Sequence, residues 1–175
     1  DMKPEWYAIN GIGESAYDKP AYADHYHFVC PNQEEVIKYL ENLYGTIAEI
    51  PVVDGIHLDF IRFPDVILAK GLWEKYNLVM DREFPQFDYC YCDKCKNDFL
   101  INTGIDLNDV KDPSQVEKWK QFRYDLITDL VNRLADVVQG AFATAGVVDR
   151  GRQDTGGQHG ADGLGGLHHQ AAQGL

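Results

Sequence analysis

The sequence predicts an α/β fold, and three observations carry that expectation. Within the run Asp54-Gly-Ile-His-Leu-Asp-Phe-Ile-Arg-Phe-Pro64, Ile56, Leu58 and Phe60 take one parity while His57, Asp59 and Ile61 take the other; that is the period of a β-strand. The run follows a stretch with helical periodicity, so helix precedes strand. Residues 116–137 then place Val116, Trp119, Phe122, Leu126, Leu130, Leu134 and Val137 at three- and four-residue steps, a long apolar face that needs a second layer to cover it.

Taken in order, Trp6-Tyr-Ala-Ile9 is a short strand candidate closed by Asn10-Gly11. A loop rich in aromatic residues and histidine follows, from Gly11 to Pro31. Asn32 with Glu35 three residues on reads as a helix N-cap with its reciprocal acid, opening a helix to about Ile50 with Val36, Ile37, Leu40, Leu43, Tyr44 and Ile47 on its apolar face. The strand at 55–61 ends at Pro64, which lacks a backbone donor. A short helix is expected between Asp65 and Met80, and another from about Asp93 to Asn102, stopped by Gly104. Asp112-Pro113 opens the long helix as cap and first-turn proline.

A chain of 175 residues can bury a core of its own. Its net charge of -12 and scattered cations argue against a nucleic-acid partner, which calls for a basic face. No apolar run reaches the ~20 residues of a membrane span. Ten of the 16 glycines lie from Gly140 onward, in a stretch too poor in apolar residues to offset the entropy of ordering it. Residues 140–175 therefore read either as a flexible Gly-rich tail or as the product of a frame shift, and 1–139 as the folded part. The start at Asp1 fits a cut chain.

Three of the four cysteines, Cys90, Cys92 and Cys95, fall within six residues. A turn running into the first turn of a helix brings such thiols to one tetrahedral ion, and Cys30 is the one thiol left to complete the set. Four thiolates around Zn²⁺ form a closed, structural site. Disulfides are the rival reading, although Cys30 can partner only one of the crowded cysteines; free thiols are the third.

The predicted strand presents Asp59 and Arg62 at its C-terminal end. In a barrel of alternating strands and helices, that end carries catalysis; alternatively the two form a structural ion pair capping a core strand. Arg62 would hold Asp59 ionised, or else pair with Asp65. His57 shares the parity of Asp59 and reads as a core histidine or a substrate contact. Trp6, Tyr7 and Tyr26 offer aromatic faces for a ligand, or belong to the core.

Three segments, Tyr7-Ala-Ile-Asn10, Phe28-Val-Cys-Pro-Asn-Gln-Glu-Glu-Val-Ile-Lys-Tyr-Leu40 and Val53-Asp-Gly-Ile-His-Leu-Asp-Phe-Ile-Arg-Phe-Pro64, resemble in order and spacing the family 10-like glycosyl-hydrolase-like proteins. The resemblance covers roughly residues 5–139. It implies an incomplete (β/α)₈ TIM barrel, mostly bacterial and exported (periplasmic or extracellular) relatives, and a carbohydrate substrate. The run Cys90-Tyr-Cys-Asp-Lys-Cys95 is similar to the zinc-binding cysteines of family 42 β-galactosidases, where a distant upstream cysteine completes the site. Together these imply a glycoside hydrolase acting on poly- or oligosaccharides through paired carboxylates, with a zinc-clamped loop forming one wall of the cleft. Asp59 would be nucleophile or charge stabiliser, Arg62 its partner, and Trp6, Tyr7, His57, Tyr26 and Asp65 substrate contacts. Asp65 is also the best-placed second carboxylate. The alternatives are a carbohydrate-binding protein without catalysis and a zinc-stabilised interaction module.

Overall fold

In the computed structural model, which describes residues 3–153, regular structure is helical: α1 (Glu34–Ala48), α2 (Asp93–Thr103) and α3 (Glu117–Gln153), joined by irregular chain with short 3₁₀ turns. Among the described residues there are three isolated β-bridges, Tyr7 with Val29, Ile9 with Ser15 and Asn10 with Tyr89, and no sheet or barrel. The expectation of an α/β incomplete (β/α)₈ TIM barrel with a zinc-clamped loop is therefore corrected. A strand is stable only when a neighbour takes up its backbone donors and acceptors, and alternation alone does not provide that neighbour. The run 53–59 enters no ladder. Leu58 and Ile61, of opposite parity, pack on the same apolar cluster, and Phe60 turns to a positive φ of 55° that interrupts the strand path.

The helices form largely where the periodicity places them. α2 ends on Gly104, whose φ of 72° and N–H bonded to the Leu100 carbonyl make a left-handed cap. α1 begins two residues after Asn32, with Gln33 in the cap position and no side-chain cap. The Asn32 amide instead donates to Asp98 at 2.9 Å, and Glu35 accepts from Lys3 and from the Trp6 indole. Asp112 does cap, accepting from Ser114 N–H, but the turn it opens is 3₁₀ (Pro113–Gln115) and α3 starts at Glu117. Between Asp65 and Met80 a 3₁₀ turn, Lys70–Leu72, stands in place of the expected helix. α3 continues past residue 139 to Gln153; the rest of the 140–175 segment lies outside the described residues. No described helix is long and apolar enough to cross a membrane.

Among the described residues, three apolar clusters form the core. The largest gathers Tyr7, Ala8, Cys30, Tyr89, Phe99, Leu107 and Trp119 around the cysteines, with Phe122 stacked on Trp119. A second, Ile37 with Leu130 and Leu134, joins α1 to α3. There Arg133 of α3 bonds Glu41 at 2.7 Å and also reaches Glu34. The third packs Leu68, Met80 and Phe87 under the connection from α1 to α2.

Candidate metal centre

The segment Trp6–Asn10 acts as a template on which the cysteines assemble. On one side Ala8 N–H donates to the Phe28 carbonyl and Cys30 N–H to the Trp6 carbonyl, at 3.0 and 2.7 Å. On another, Tyr91 N–H donates to the Ile9 carbonyl at 2.7 Å, and Gly11 N–H reaches the carbonyls of Pro85 and Asp88. Cys30 and the Cys90 region are thereby held to the same short stretch of backbone. Gly11 is required at this crossing: a Cβ there would stand 2.9 Å from the Pro85 oxygen.

Cys92 occupies the N-cap position of α2 and Cys95 lies in its first turn, so both sulfurs sit at the positive end of the helix dipole. All four Sγ atoms lie within 4.8 Å of one another and all four residues are buried. The Cys30 sulfur is 3.7 Å from that of Cys92 and 3.5 Å from that of Cys95. These separations are far beyond a disulfide bond of about 2.05 Å, and the four cysteines are unbonded. They match the edges of a sulfur tetrahedron, about 3.8 Å for metal–sulfur bonds of about 2.3 Å. The Ile9 N–H donates to the Cys90 sulfur at 3.3 Å, the kind of outer contact that fixes a thiolate ligand. Hydrogen bonding among the thiols pushes Cys30 and Cys95 up and Cys92 down; burial adds to the first two shifts and opposes the third. A cation bound among them would favour the thiolate forms that ligate it. The arrangement can hold a metal ion.

Beside this cluster lies a group the sequence reading did not single out. Asp88, two residues before Cys90, pairs in the interior with Arg123 of α3 and accepts from the Tyr91 hydroxyl. Arg123 also donates to the Tyr89 carbonyl at 2.7 Å and lies over the faces of Tyr91 and Trp119. Burial, then the Asp88 charge, pushes the Tyr91 hydroxyl up. The signal was present: Arg123 falls four residues after Trp119, a cation on an otherwise apolar stripe.

The sugar-site candidates do not meet at this centre. Asp59 is exposed and its carboxylate accepts from the Phe60 N–H at 2.9 Å. Arg62 pairs with Asp65 at 3.0 Å. Asp65 in turn accepts from the Tyr22 hydroxyl, pushed up chiefly by burial, while its N–H donates back to that oxygen. Tyr26 meets Tyr22, Phe28 and Phe60 ring to ring. His57 is exposed with no hydrogen-bond or charged partner among the described residues. Trp6 meets Tyr39 at a tilt of 52°, and Tyr7 is buried in the core beside Tyr17 and His27. No protein-family model, curated protein or solved structure matches the chain.

Proposed function

We propose that the chain is a zinc-stabilised domain in which Cys30, Cys90, Cys92 and Cys95 bind one Zn²⁺ as thiolates. The observation that carries this reading is the sulfur geometry: four buried Sγ atoms within 4.8 Å of one another, at spacings suited to metal–sulfur bonds of about 2.3 Å. Four protein ligands leave no open position for a substrate, so the ion's role is structural, cross-linking the Trp6–Asn10 template, Cys30 and α2. Elemental analysis of the purified chain should find one zinc per molecule, and cobalt(II) exchanged into it should give the visible absorption of a tetrahedral tetrathiolate. A chain that carries no metal, or that mass spectrometry finds with two disulfides, sinks the reading.

A second reading is supported by the cluster around Asp59. An exposed carboxylate lies next in sequence to a ring that meets Tyr26 and carries the Arg62 guanidinium over its face at 5.1 Å. Asp65, tied to Arg62 and Tyr22, adds a second carboxylate. Aromatic faces with paired acids suit sugar rings and glycosidic hydrolysis, in line with the resemblance to glycosyl-hydrolase-like proteins. If the chain hydrolyses glycans, Asp59→Asn should lower turnover by several orders of magnitude. Near-native turnover by that variant would remove Asp59 as a catalytic residue.

A further inference from the structure

The four cysteines are not equivalent. Cys92 retains 9% exposure, whereas Cys30, Cys90 and Cys95 retain none, so an oxidant arriving from solvent meets the Cys92 sulfur first. That residue is also the N-cap of α2, and a helix N-terminus favours the reactive thiolate form. Further in lies Cys30, whose sulfur is 3.7 Å from that of Cys92 and 3.5 Å from that of Cys95. The Cys30 N–H is bonded to the Trp6 carbonyl at 2.7 Å, so a link from α2 to Cys30 also holds the Trp6–Asn10 segment. Cys92 and Cys95 both belong to the start of α2, and a bond between them would hold no other part of the chain.

We propose that the cluster is a peroxide-responsive clasp, in which oxidation exchanges the metal cross-link for a Cys30–Cys92 disulfide and discharges the ion. The inference rests on the zinc reading above and adds a regulation of that site. The Cys92 thiolate attacks hydrogen peroxide, giving the sulfenic acid and a hydroxide ion. The Cys30 thiolate, on the interior side, then attacks the Cys92 sulfur, forming the S–S bond and expelling a second hydroxide towards solvent. Two thiolates thus lose two electrons to one peroxide, which leaves as two hydroxide ions. The sulfurs close from 3.7 Å to about 2.05 Å, an approach that side-chain rotation supplies. Cys90 and Cys95 remain, too few to retain the ion in a closed four-ligand site. The new bond joins residues 62 apart in sequence that the ion had clasped, so the N-terminal segment stays docked.

The full chain is first assayed for zinc under reducing conditions and then treated with a small excess of hydrogen peroxide. Mass mapping should find Cys30 joined to Cys92, with about one zinc per chain released to a colorimetric chelator and regained after thiol reduction. Hydrogen exchange at Ala8 and Cys30 should stay within about twofold of that in the zinc-bound chain. A strong chelator under reducing conditions should instead raise it about tenfold or more. Zinc retained against peroxide, any other cysteine pairing, sulfinic acid at Cys92, or fast exchange at Ala8 and Cys30 in the oxidised chain would each overturn the proposal and leave the zinc reading standing. Exchange that the chelator also leaves slow would overturn it too, because no clasp would then be needed. A chain without zinc before peroxide is added would overturn both.

Discussion

Arg123 is the residue on which the interior depends most directly for charge balance. Its guanidinium and the Asp88 carboxylate are both taken out of water and paired with each other, Arg123 Nη1 also donating to the Tyr89 carbonyl and Asp88 accepting from the Tyr91 hydroxyl. The Arg123 Nε is buried without a hydrogen-bond partner among the described residues. Breaking such a pair from one side leaves a buried charge, which costs about 3–5 kcal/mol. Arg123→Met should therefore lower unfolding free energy by about that amount in a denaturant titration. The double variant Asp88→Asn/Arg123→Met should recover part of the loss, because neither charge is then stranded. A double variant no better than the single one would show that packing, not charge, accounts for the cost. The cysteines differ from this pair in legibility. Their residue type and six-residue spacing restrict their partners from sequence alone, whereas one acid and one arginine 35 positions apart carry no local mark of their meeting.

At the scale of the helices, local signals held where a single residue decides the outcome. Gly104 ends α2 because only a residue without a Cβ adopts φ of 72° at little cost; Gly104→Ala should cost about 1 kcal/mol by thermal unfolding. Asn32 shows the opposite case. Its side chain had an alternative acceptor in Asp98, so the cap moved to Gln33, and a distant partner outweighed a local motif. The α1–α3 contact also carries a pH dependence. Glu34 is held below its ordinary value of 4.5, first by its hydrogen bond to Arg133 and then by nearby cations. A depressed carboxyl contributes stability above its unfolded value, and loses it as pH falls through the folded value; the window here lies below pH 4.5. The group is exposed, so salt screens the effect. An NMR titration should show Glu34 moving up towards its ordinary value in Arg133→Gln, and an unmoved midpoint would refute the assignment.

At the scale of the whole molecule, the second layer of the fold was the part that sequence could not supply. Alternation in residues 56–61 matches burial only at Ile56 and Leu58, which turn inward; Phe60 of the same parity is exposed, and Ile61 of the other packs on the same cluster as Leu58. It carried no information on whether another strand lies alongside, because pairing depends on residues remote in the chain. The cysteine cluster was legible for the opposite reason: thiol chemistry restricts the possible partners of Cys90, Cys92 and Cys95 to very few. If the proposed zinc is structural, a strong chelator should release the Trp6–Asn10 segment and Cys30 while the α1–α3 contact, built on Ile37, Leu130 and Leu134, persists. Hydrogen exchange should then rise at Ala8 and Cys30 and remain slow in α3. Uniform loss of protection would mean that the ion governs a single cooperative unit.

The ligand spacing also dictates an order of events during folding. Cys90, Cys92 and Cys95 are neighbours and can gather an ion while the rest of the chain is still disordered. Cys30 lies 62 residues from Cys92, and drawing it in closes a loop worth on the order of 4 kcal/mol of chain entropy. On the proposed zinc binding, three sulfurs would form a nascent half-site, and the fourth would convert a local chelate into a long-range clasp. Cys30→Ser should consequently still take up metal, more weakly, while its N-terminal segment stays undocked. If the cysteines bind zinc as proposed, metal capture can precede closure, and refolding of the reduced chain should quicken as free ion is raised.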